Sequence, residues 1–454
     1  MKIVIVGAGE VGYNIASRMA LENKEVVVID NNPDALRRIS ENLDVQVIEG
    51  SGSSPLVLNQ AGIANSEILL AVTNSDETNL VACIICNIIS PTTKKLARMR
   101  NSDFDAYHEH FKENAPYINT VINPEIEAVK TIEKLMNIPG AVDVTEFADG
   151  KVQLVSIRLT KESIFSGVKL KDIAAVIGDR TLLIAALIRE DELMVPRGND
   201  RLAAGDLVYF ISETDDLKDN LSIFGKKSTP LKRVLIVGGG RIAWRLAKSL
   251  EKKSIKTKII EKDQRRCTLL SEHMNSAVVL HGDGSDQSLL YEENIRDMDV
   301  VVTLTNDEET NILVSLLAKN MGARNTITKI SKLSYFPLMS IIGIEQVVSS
   351  RLSAIDSILR HIRKGKVLTA FSVYGEQAEV LEAVALQTSA IVGKPLKNIS
   401  FPKGSILISI IRNKEVIIPS GESIVEPDDR IIIFATRLAI PKVEKILTVK
   451  LEYF

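Results

Sequence analysis

A glycine-rich loop near the start of the chain carries the clearest chemical signal. Gly7, Gly9 and Gly12 form the pattern GxGxxG directly after an apolar run at residues 3–6 and before a helical pattern. The first glycine permits a tight turn, the second lets the backbone approach a pyrophosphate, and the third lets the helix pack on the strand. We therefore predict a phosphate-binding loop at which the N–H groups of a helix start face the phosphates.

Asp30 ends the next strand-like run and completes the same fingerprint. An acid at this point accepts hydrogen bonds from both hydroxyls of an adenosine ribose and repels a 2′-phosphate, which favours NAD over NADP. The pattern recognises a ribose and a pyrophosphate but not nicotinamide. NAD, NADH, ADP and ATP are therefore all candidate ligands.

Two matching pairs of segments show that the chain is an internal duplication. Residues 3–12 read IVIVGAGEVG and residues 234–243 read VLIVGGGRIA, while TNSDETN at 73–79 matches TNDEETN at 305–311. The two pairs have nearly the same spacing, which chance matches would not have. Internal repetition of this kind predicts two copies of one architecture.

The second glycine-rich loop differs from the first in detail. It has Gly238 and Gly240 but Ala243 at the third position, and Glu261 ends the following strand-like run. Alanine is permitted there and glutamate can hold a ribose. The second site is therefore either competent, with a different nucleotide preference, or a copy that retains only the fold.

Further candidate ligands follow later strands, at the sheet edge where parallel strands form their ligand crevice. Thr73 and Asn74 end the fourth strand-like run, and Arg98 ends the fifth, from which its guanidinium can bind phosphates. In the second half Lys329 replaces that arginine. The segments GSGS at 50–53 and GDGS at 282–285 follow the third runs and are placed to flank the adenine.

Three polar residues behind Thr73 have two interpretations. Asp76, Glu77 and Asn79 lie at the start of a helical pattern. They are expected either to cap that helix or to contact the ligand.

Alternating patterns predict the fold that positions these residues. Apolar, β-branched runs at 2–6, 25–30, 45–48, 68–73 and 95–98 alternate with helical patterns. This is typical of an α/β fold with a Rossmann-like, doubly wound parallel sheet. The segments that follow have short alternating runs broken by Gly, Pro and Asp, which predict a small α+β subdomain with a mostly antiparallel sheet.

The predicted organisation is two tandem units of two domains each, with boundaries at 1–123, 143–227, 232–348 and 368–454. A polar linker at 225–230 divides the halves. Behind each Rossmann-like domain lies an amphipathic helical pattern, near 123–136 and 352–362. Its apolar stripe is expected to pack either on its own domain or on a neighbouring subunit.

Composition excludes several classes of function. Lys plus Arg (56) nearly balances Asp plus Glu (58), and aromatic content is 4%, so the chain has neither the basic footprint nor the stacking residues of a nucleic-acid binder. Three cysteines are too few for a disulfide framework and favour a reducing compartment. We find neither a signal peptide nor an apolar run long enough to span a bilayer, and we predict a cytoplasmic protein.

The whole set of motifs closely resembles one family. The loop GAGEVG, Asp30, TNSDETN, Arg98, a crossover helix and a small second domain, all repeated after a short linker, are similar to the tandem RCK (regulating potassium conductance) regulatory subunits of Trk potassium-uptake systems. The resemblance covers essentially the entire chain. It implies a homotetrameric ring on the inner face of the membrane, below a potassium-translocating subunit similar to TrkH, TrkG or KtrB, which the ring gates according to the nucleotide bound.

The resemblance also implies a ligand set, carried over residue by residue. The expected cofactor is NAD or NADH, with ATP or ADP as alternatives at the same kind of site. An Asp often follows the third-strand glycine in this family; this chain has Ser51 there in the first half and Asp283 in the second. The implied binding residues are Gly7, Ala8, Gly9, Glu10, Val11, Asp30, Ser51, Thr73, Asn74 and Arg98 in the first half, and Gly238, Gly239, Gly240, Arg241, Ile242, Glu261, Asp283, Thr305 and Asn306 in the second.

Two other functions are weighed against a regulatory subunit. A soluble NAD-dependent dehydrogenase needs a substrate pocket over the nicotinamide and usually an acid or base beside it, and the chain offers no large catalytic domain. A nucleotide-sensing transcription factor needs a helix-turn-helix and a basic face, and neither is visible in the sequence. The expectation is therefore a protein that is not an enzyme, with neither catalytic nor metal-ligating residues.

Overall fold

The computed structural model describes residues 1–138, 140–178, 182–226, 230–362, 367–374 and 377–447. They form two compact units, one of Met1–Ala128 with the helix Ser350–Ile362, and one of the other described residues. The middle of the predicted linker, 227–229, and the end of the last predicted domain, 448–454, lie outside the described residues. Within these ranges, we find no helix with both the length and the apolar character that crossing a membrane requires.

Strands and helices alternate in the first Rossmann-like domain. The elements are β1 (Lys2–Val6), α1 (Glu10–Leu21), β2 (Glu25–Asp30), α2 (Pro33–Asn42), β3 (Gln46–Glu49), α3 (Pro55–Gln60), β4 (Ile68–Ala71), α4 (Asp76–Ile89), β5 (Lys94–Arg98), α5 (His108–Glu113), β6 (Thr120–Ile122) and α6 (Pro124–Asn137). All six strands pair in parallel in the order β3-β2-β1-β4-β5-β6. The order reverses between β1 and β4, so the ligand crevice of such a sheet lies at their carboxyl ends.

The second Rossmann-like domain repeats this plan. Its elements are β12 (Arg233–Val237), α9 (Arg241–Lys252), β13 (Lys256–Glu261), α10 (Gln264–His273), β14 (Val278–His281), α11 (Gln287–Glu292), β15 (Val300–Thr303), α12 (Glu308–Asn320), β16 (Thr326–Lys329), α13 (Phe336–Ile341), β17 (Gln346–Val348) and α14 (Ser350–Ile362). The strand order β14-β13-β12-β15-β16-β17 is that of the first sheet, again parallel throughout. The predicted duplication and the predicted fold class are both confirmed.

Each small domain contains a five-stranded antiparallel sheet, as predicted. The first consists of β7 (Ala141–Phe147), β8 (Val152–Arg158), α7 (Ile173–Ile177), β9 (Leu182–Arg189), β10 (Glu192–Met194), β11 (Leu207–Glu213) and α8 (Leu217–Ile223), and the second of β18 (Val367–Val373), β19 (Ala378–Val384), β20 (Ser405–Arg412), β21 (Glu415–Ile417), β22 (Arg430–Thr436) and α15 (Ile440–Leu447). The strand orders are β10-β9-β11-β8-β7 and β18-β19-β22-β20-β21. Side chains of both sheets, Tyr209 and Phe434 among them, share one apolar core.

The amphipathic helices exchange partners between the halves. Ile355 and Ile358 of α14 lie in the same core cluster as Ile15 and Met19 of α1, on the first Rossmann-like domain. In the other unit, Glu133 of α6 accepts hydrogen bonds from Ser249 Oγ (2.5 Å) and Lys253 Nζ (2.7 Å) of α9. Neither expected arrangement is therefore the one observed, because each helix packs on the other half of its own chain.

Candidate nucleotide-binding sites

The first glycine-rich loop has the shape that the fingerprint predicts. Gly7 has a φ of +114°, and a Cβ there would lie 3.0 Å from the backbone nitrogen of Thr73. A Cβ on Gly12 would lie 1.9 Å from the carbonyl oxygen of Gly7. A Cβ on Gly9 would meet nothing within 4 Å. The fold thus requires glycine at positions 7 and 12, whereas Gly9 faces open space just before α1.

Asp30 fixes the loop from the neighbouring strand. Its Oδ2 accepts a hydrogen bond from the N–H of Ala8 at 2.6 Å, and its Oδ1 accepts one from Asn32 at 2.8 Å. A carboxylate has about four acceptor positions on its two oxygens, so capacity remains for ribose hydroxyls. The acid therefore has a structural task in addition to the predicted one.

Asn79 has a role that neither interpretation of the sequence gave it. Its Oδ1 accepts hydrogen bonds from Thr73 N (2.9 Å) and Thr73 Oγ1 (2.8 Å), and its Nδ2 donates to the carbonyl of Arg98 at 2.8 Å. This fully buried amide ties the ends of β4 and β5 together beneath the crevice. The sequence did contain a signal for this role, because an asparagine is the last residue of both TN…TN motifs and helix capping alone does not require the same residue type in both.

The helix that follows is capped by a different residue. Ser75 is the N-cap of α4, and its Oγ accepts a hydrogen bond from Thr78 N. Asp76 instead accepts hydrogen bonds from the N–H groups of Arg100 (2.9 Å) and Asn101 (2.8 Å). Asp76 thereby holds the backbone that follows β5, where two arginines lie.

Those two arginines bring positive charge to the crevice. Arg98 Nη2 donates to Asn74 Oδ1 at 3.3 Å, and Arg100, which the sequence analysis did not single out, donates to the Asn74 carbonyl at 2.8 Å. Burial, and after it the neighbouring Arg100, lowers the pKa of Arg98 to about 10. With a pKa of about 10, the Arg98 guanidinium still carries its charge near neutral pH. An anion in the crevice would relieve the cost of holding these charges together.

Glu10 places a negative charge at the start of α1. Arg38 of α2 compensates it, with 2.6 Å between Arg38 Nη1 and Glu10 Oε1, and the same guanidinium lies over the ring of Tyr13 at 4.3 Å. Predicted ligands in this region differ in exposure. Gly9 and Asn74 are exposed, whereas Ala8 and Val11 are buried and contribute only backbone to the crevice.

The second site has the same framework. Gly238 has a φ of +100°, and a Cβ on Gly240 would meet nothing within 4 Å. Glu261 Oε2 accepts a hydrogen bond from Gly239 N at 2.6 Å. Asn311 accepts hydrogen bonds from Thr305 as Asn79 does from Thr73. The repeated acid-to-loop and amide-to-strand bonds show that both crevices are built in one way.

The two sites differ most on the predicted adenine side. Lys262 Nζ lies 2.9 Å from Asp283 Oδ2, and this contact, followed by hydrogen bonds from Ser285, lowers the pKa of Asp283. At the matching place in the first site, Ser51 Oγ hydrogen-bonds Ser53 Oγ at 2.8 Å, with no charge involved. Of the other predicted ligands in the second half, Arg241 and Asn306 are exposed and Ile242 is buried. The chain thus has two crevices of one design, of which the second has an ion pair where the first has two hydroxyls.

Comparison with known proteins identifies the tandem pattern. Residues 3–124 and 234–350 match the model of the TrkA-N domain, and residues 154–225 and 380–448 match that of the TrkA-C domain. The chain is 37% identical over 452 residues to the Trk system potassium uptake protein TrkA homolog 1 of Methanosarcina mazei, covering 98% of this chain and 99% of the relative. It is also 37% identical over 458 residues to the Trk system potassium uptake protein TrkA of Halomonas elongata, with complete coverage of both.

Solved structures share the fold at lower identity. The GsuK RCK domain superposes with a TM-score of 0.59 at 19% identity, covering 98% of this chain and 94% of that one. The GsuK channel bound to NAD gives a TM-score of 0.59 at 18% identity, covering 98% and 78%. These neighbours show that both halves have the RCK fold.

Proposed function

This chain belongs to the TrkA family of Trk system potassium uptake proteins, and from that premise we propose that it is a nucleotide-binding regulatory subunit that gates a membrane potassium transporter. Full-length similarity to TrkA proteins in two distant organisms supports the family role. The single structural observation that supports nucleotide binding is the open space that a Cβ on Gly9 or Gly240 would enter, at the carboxyl edge of both parallel sheets.

The proposed ligand of the first site is an adenine nucleotide with a free 2′-hydroxyl, either NAD(H) or ATP/ADP. Asp30 supports this because a carboxylate held between two backbone N–H groups would face a ribose and repel a 2′-phosphate. The N–H groups of Glu10 and Val11 are unsatisfied within the first turn of α1 and would face the pyrophosphate. A channel of the same fold has been solved with NAD bound.

We propose that the nucleotide is a regulatory ligand and not a cosubstrate. The described side chains at the first crevice are guanidiniums, amides, hydroxyls and carboxylates. Asp30 and Asp76 accept backbone N–H groups and Glu10 pairs with Arg38. Hydride transfer usually needs an acid or base beside the nicotinamide and a substrate pocket above it. This set of groups therefore favours a nucleotide that is bound as a regulatory ligand over one that is consumed in a reaction.

We further propose a homotetramer at the cytoplasmic face of the membrane, below a potassium-translocating subunit similar to TrkH, TrkG or KtrB. The names of the relatives, which refer to potassium uptake, support such a partner. A nucleotide can shift a two-state assembly only by its differential affinity for the two states. The proposed gating therefore requires competing nucleotides that share the ADP part but differ beyond it.

Potassium flux in a reconstituted system tests the proposal. The full chain would be incorporated with the Trk-type membrane subunit of its own organism into vesicles, and flux measured with NAD, NADH, ADP and ATP in turn. We expect the flux to depend on which nucleotide is present, and Asp30→Ala to remove that dependence for the first site. Flux that is identical with all four nucleotides and without any, or steady consumption of NADH with a co-reactant, would contradict the proposed role.

A further inference from the structure

Helix α14 brings a residue of the second half to the first crevice. Its apolar side packs on α1 through residues such as Ile355 and Leu359. Arg351 is the second residue of α14, and its Nη1 lies 4.0 Å from Oε2 of Glu10. Glu10 is the first residue of α1 and directly follows Gly9. A cation from the distal part of the sequence therefore stands beside the proposed phosphate position.

The surrounding charges show why this cation is not merely the partner of Glu10. The other carboxylate oxygen of Glu10 already has Arg38 at 2.6 Å. Arg351 is close enough to Arg98 to lower the pKa of Arg98, behind the larger effects of burial and Arg100, while Asp76 and Glu125 act in the opposite direction. The Nε atoms of Arg98 and Arg100 are buried and have no hydrogen-bond partner within the described residues. Arg351 therefore adds a third guanidinium to Arg98 and Arg100 near the first crevice, where a phosphate could accept hydrogen bonds from them.

We propose that Arg351 is a phosphate ligand of the first site, which leaves Glu10 to bind the terminal phosphate of a nucleoside di- or triphosphate. The 4.0 Å separation from Glu10 is at the limit of an ion pair, and the Arg351 side chain is 41% exposed, so the pair with Glu10 itself contributes little stability that a phosphate would have to replace. A terminal phosphate carries more charge than either esterified phosphate of NAD, and a guanidinium binds it in bidentate fashion. Arg351 therefore favours ADP and ATP over NAD. This inference rests on the proposed nucleotide site and extends it to specificity.

The other half of the sequence has the charges reversed at the corresponding positions. Arg241 occupies the place of Glu10, as the first residue of α9 after Gly240. Glu125 occupies the place of Arg351, as the second residue of the helix that follows the sixth strand. A simultaneous exchange of both signs is expected if these two positions act as a pair. It also means that the first residue of the helix after each glycine-rich loop is acidic in the first half and basic in the second.

An affinity series over phosphate number tests the role of Arg351. AMP, ADP and ATP would be titrated calorimetrically into the full-length chain, into Arg351→Gln, and into Arg37→Gln. All three would be measured with and without Gly240→Ala, which is expected to block the second loop. Arg37 is the matched control because it is an arginine of the same unit whose side chain is 67% exposed and pairs with Asp34.

The expected result is a ratio of ATP to AMP affinity that falls about tenfold in Arg351→Gln and stays unchanged in Arg37→Gln. AMP affinity itself should change less than twofold. An unchanged ATP-to-AMP ratio, or an equal loss for AMP and ATP, would overturn the assignment, because the first denies a phosphate contact and the second indicates damage to the loop. Failure of the proposed nucleotide site would look different, since the unsubstituted chain would then bind neither these three nucleotides nor NADH. Binding of NADH alone would overturn the inference and leave the proposed function standing.

Discussion

Replacing Gly9 with alanine separates the nucleotide site from the fold that carries it. Gly9 has a φ of −65° and a ψ of −177°, an extended conformation that alanine adopts without strain, and its Cβ would meet nothing within 4 Å. A glycine-to-alanine change at such a position raises the free energy of unfolding by about 0.4–1 kcal/mol, because the unfolded chain loses conformational freedom. Gly9 is also the N-cap of α1, where alanine is less favourable than glycine by a similar amount. We therefore expect Gly9→Ala to leave the apoprotein about as stable as before.

Nucleotide binding, in contrast, should weaken. The added methyl group would occupy the space in which the pyrophosphate approaches the backbone. We expect affinity for NADH at the first site to fall at least about tenfold, which corresponds to about 1.4 kcal/mol. The Gly9→Ala variant should therefore lose affinity for NADH while its free energy of unfolding is not lowered, which would separate an effect on the site from an effect on the fold.

The assay can resolve the two sites within one chain. Trp244 is the only tryptophan and lies in the first turn of α9, beside the second loop. Energy transfer from Trp244 to bound NADH therefore reports the second site more strongly, while calorimetry counts both. We expect Gly9→Ala to lower the calorimetric stoichiometry and leave the energy transfer, and Gly240→Ala to do the reverse if both sites bind NADH.

Gly12→Ala is the contrasting variant. A Cβ there would lie 1.9 Å from the Gly7 carbonyl oxygen, so it should destabilise the first unit and lower nucleotide affinity together. If Gly9→Ala binds NADH normally at unchanged stability, the open space at Gly9 is not the pyrophosphate position. The site assignment would then be wrong even if the fold is right.

Three further outcomes are expected. Asp206 is 1% exposed and accepts two hydrogen bonds from Arg189 (2.8 and 2.7 Å) and one from Ala203 N (2.8 Å). Asp206→Ala should therefore lower the free energy of unfolding, measured by denaturant titration, by about 2 kcal/mol, while the nucleotide affinity measured by calorimetry stays unchanged. Burial lowers the pKa of His361 in the folded state, so protonation favours unfolding and the stability of the fold should fall as the pH drops through about 6.5. Melting temperatures measured at several pH values should fall less in His361→Gln, and an equal fall in both chains would contradict this prediction. The three cysteines are buried and free, and burial raises the pKa of Cys86 to about 11, so Ellman reagent at pH 8 should titrate none of them before denaturant is added and three afterwards.

The sequence predicted most of the fold because its strongest signals are local. Two predicted strands, 2–6 and 25–30, agree with β1 and β2 at both ends, since apolar β-branched runs next to the loop leave little freedom. The predicted third, fourth and fifth strands agree with β3, β4 and β5 to within one or two residues. The sixth strand, Thr120–Ile122, is only three residues long and was missed, because so short a run has no visible periodicity.

What the sequence could not predict depends on distant partners. The apolar stripe of α14 indicates that one face of the helix is buried. Nothing local shows which element covers that face, and its partner α1 lies near the start of the chain. Arg351 was missed for the same reason, since its role appears only when α14 is placed on the first domain. Asn79 was misassigned because an amide near a helix start usually caps it, whereas here the ends of two strands use its hydrogen bonds.

The helix exchange gives the proposed regulation a physical route. Helix α6 begins in the first unit and continues past Ala128 into the second, while α14 belongs to the first unit although the chain on both sides of it belongs to the second. A ligand that repositions the start of α1 would act on Arg351, and through the α1–α14 core it would act on a helix from which the chain continues at both ends into the other unit. Coupling of about 1–3 kcal/mol is typical of such linkage, and a ring of identical chains would apply it at every first site. Since NAD and ATP share the part that Asp30 and the glycine-rich loop would recognise, the difference between them has to be sensed beyond that part, and Arg351 is the residue that we propose for this contact.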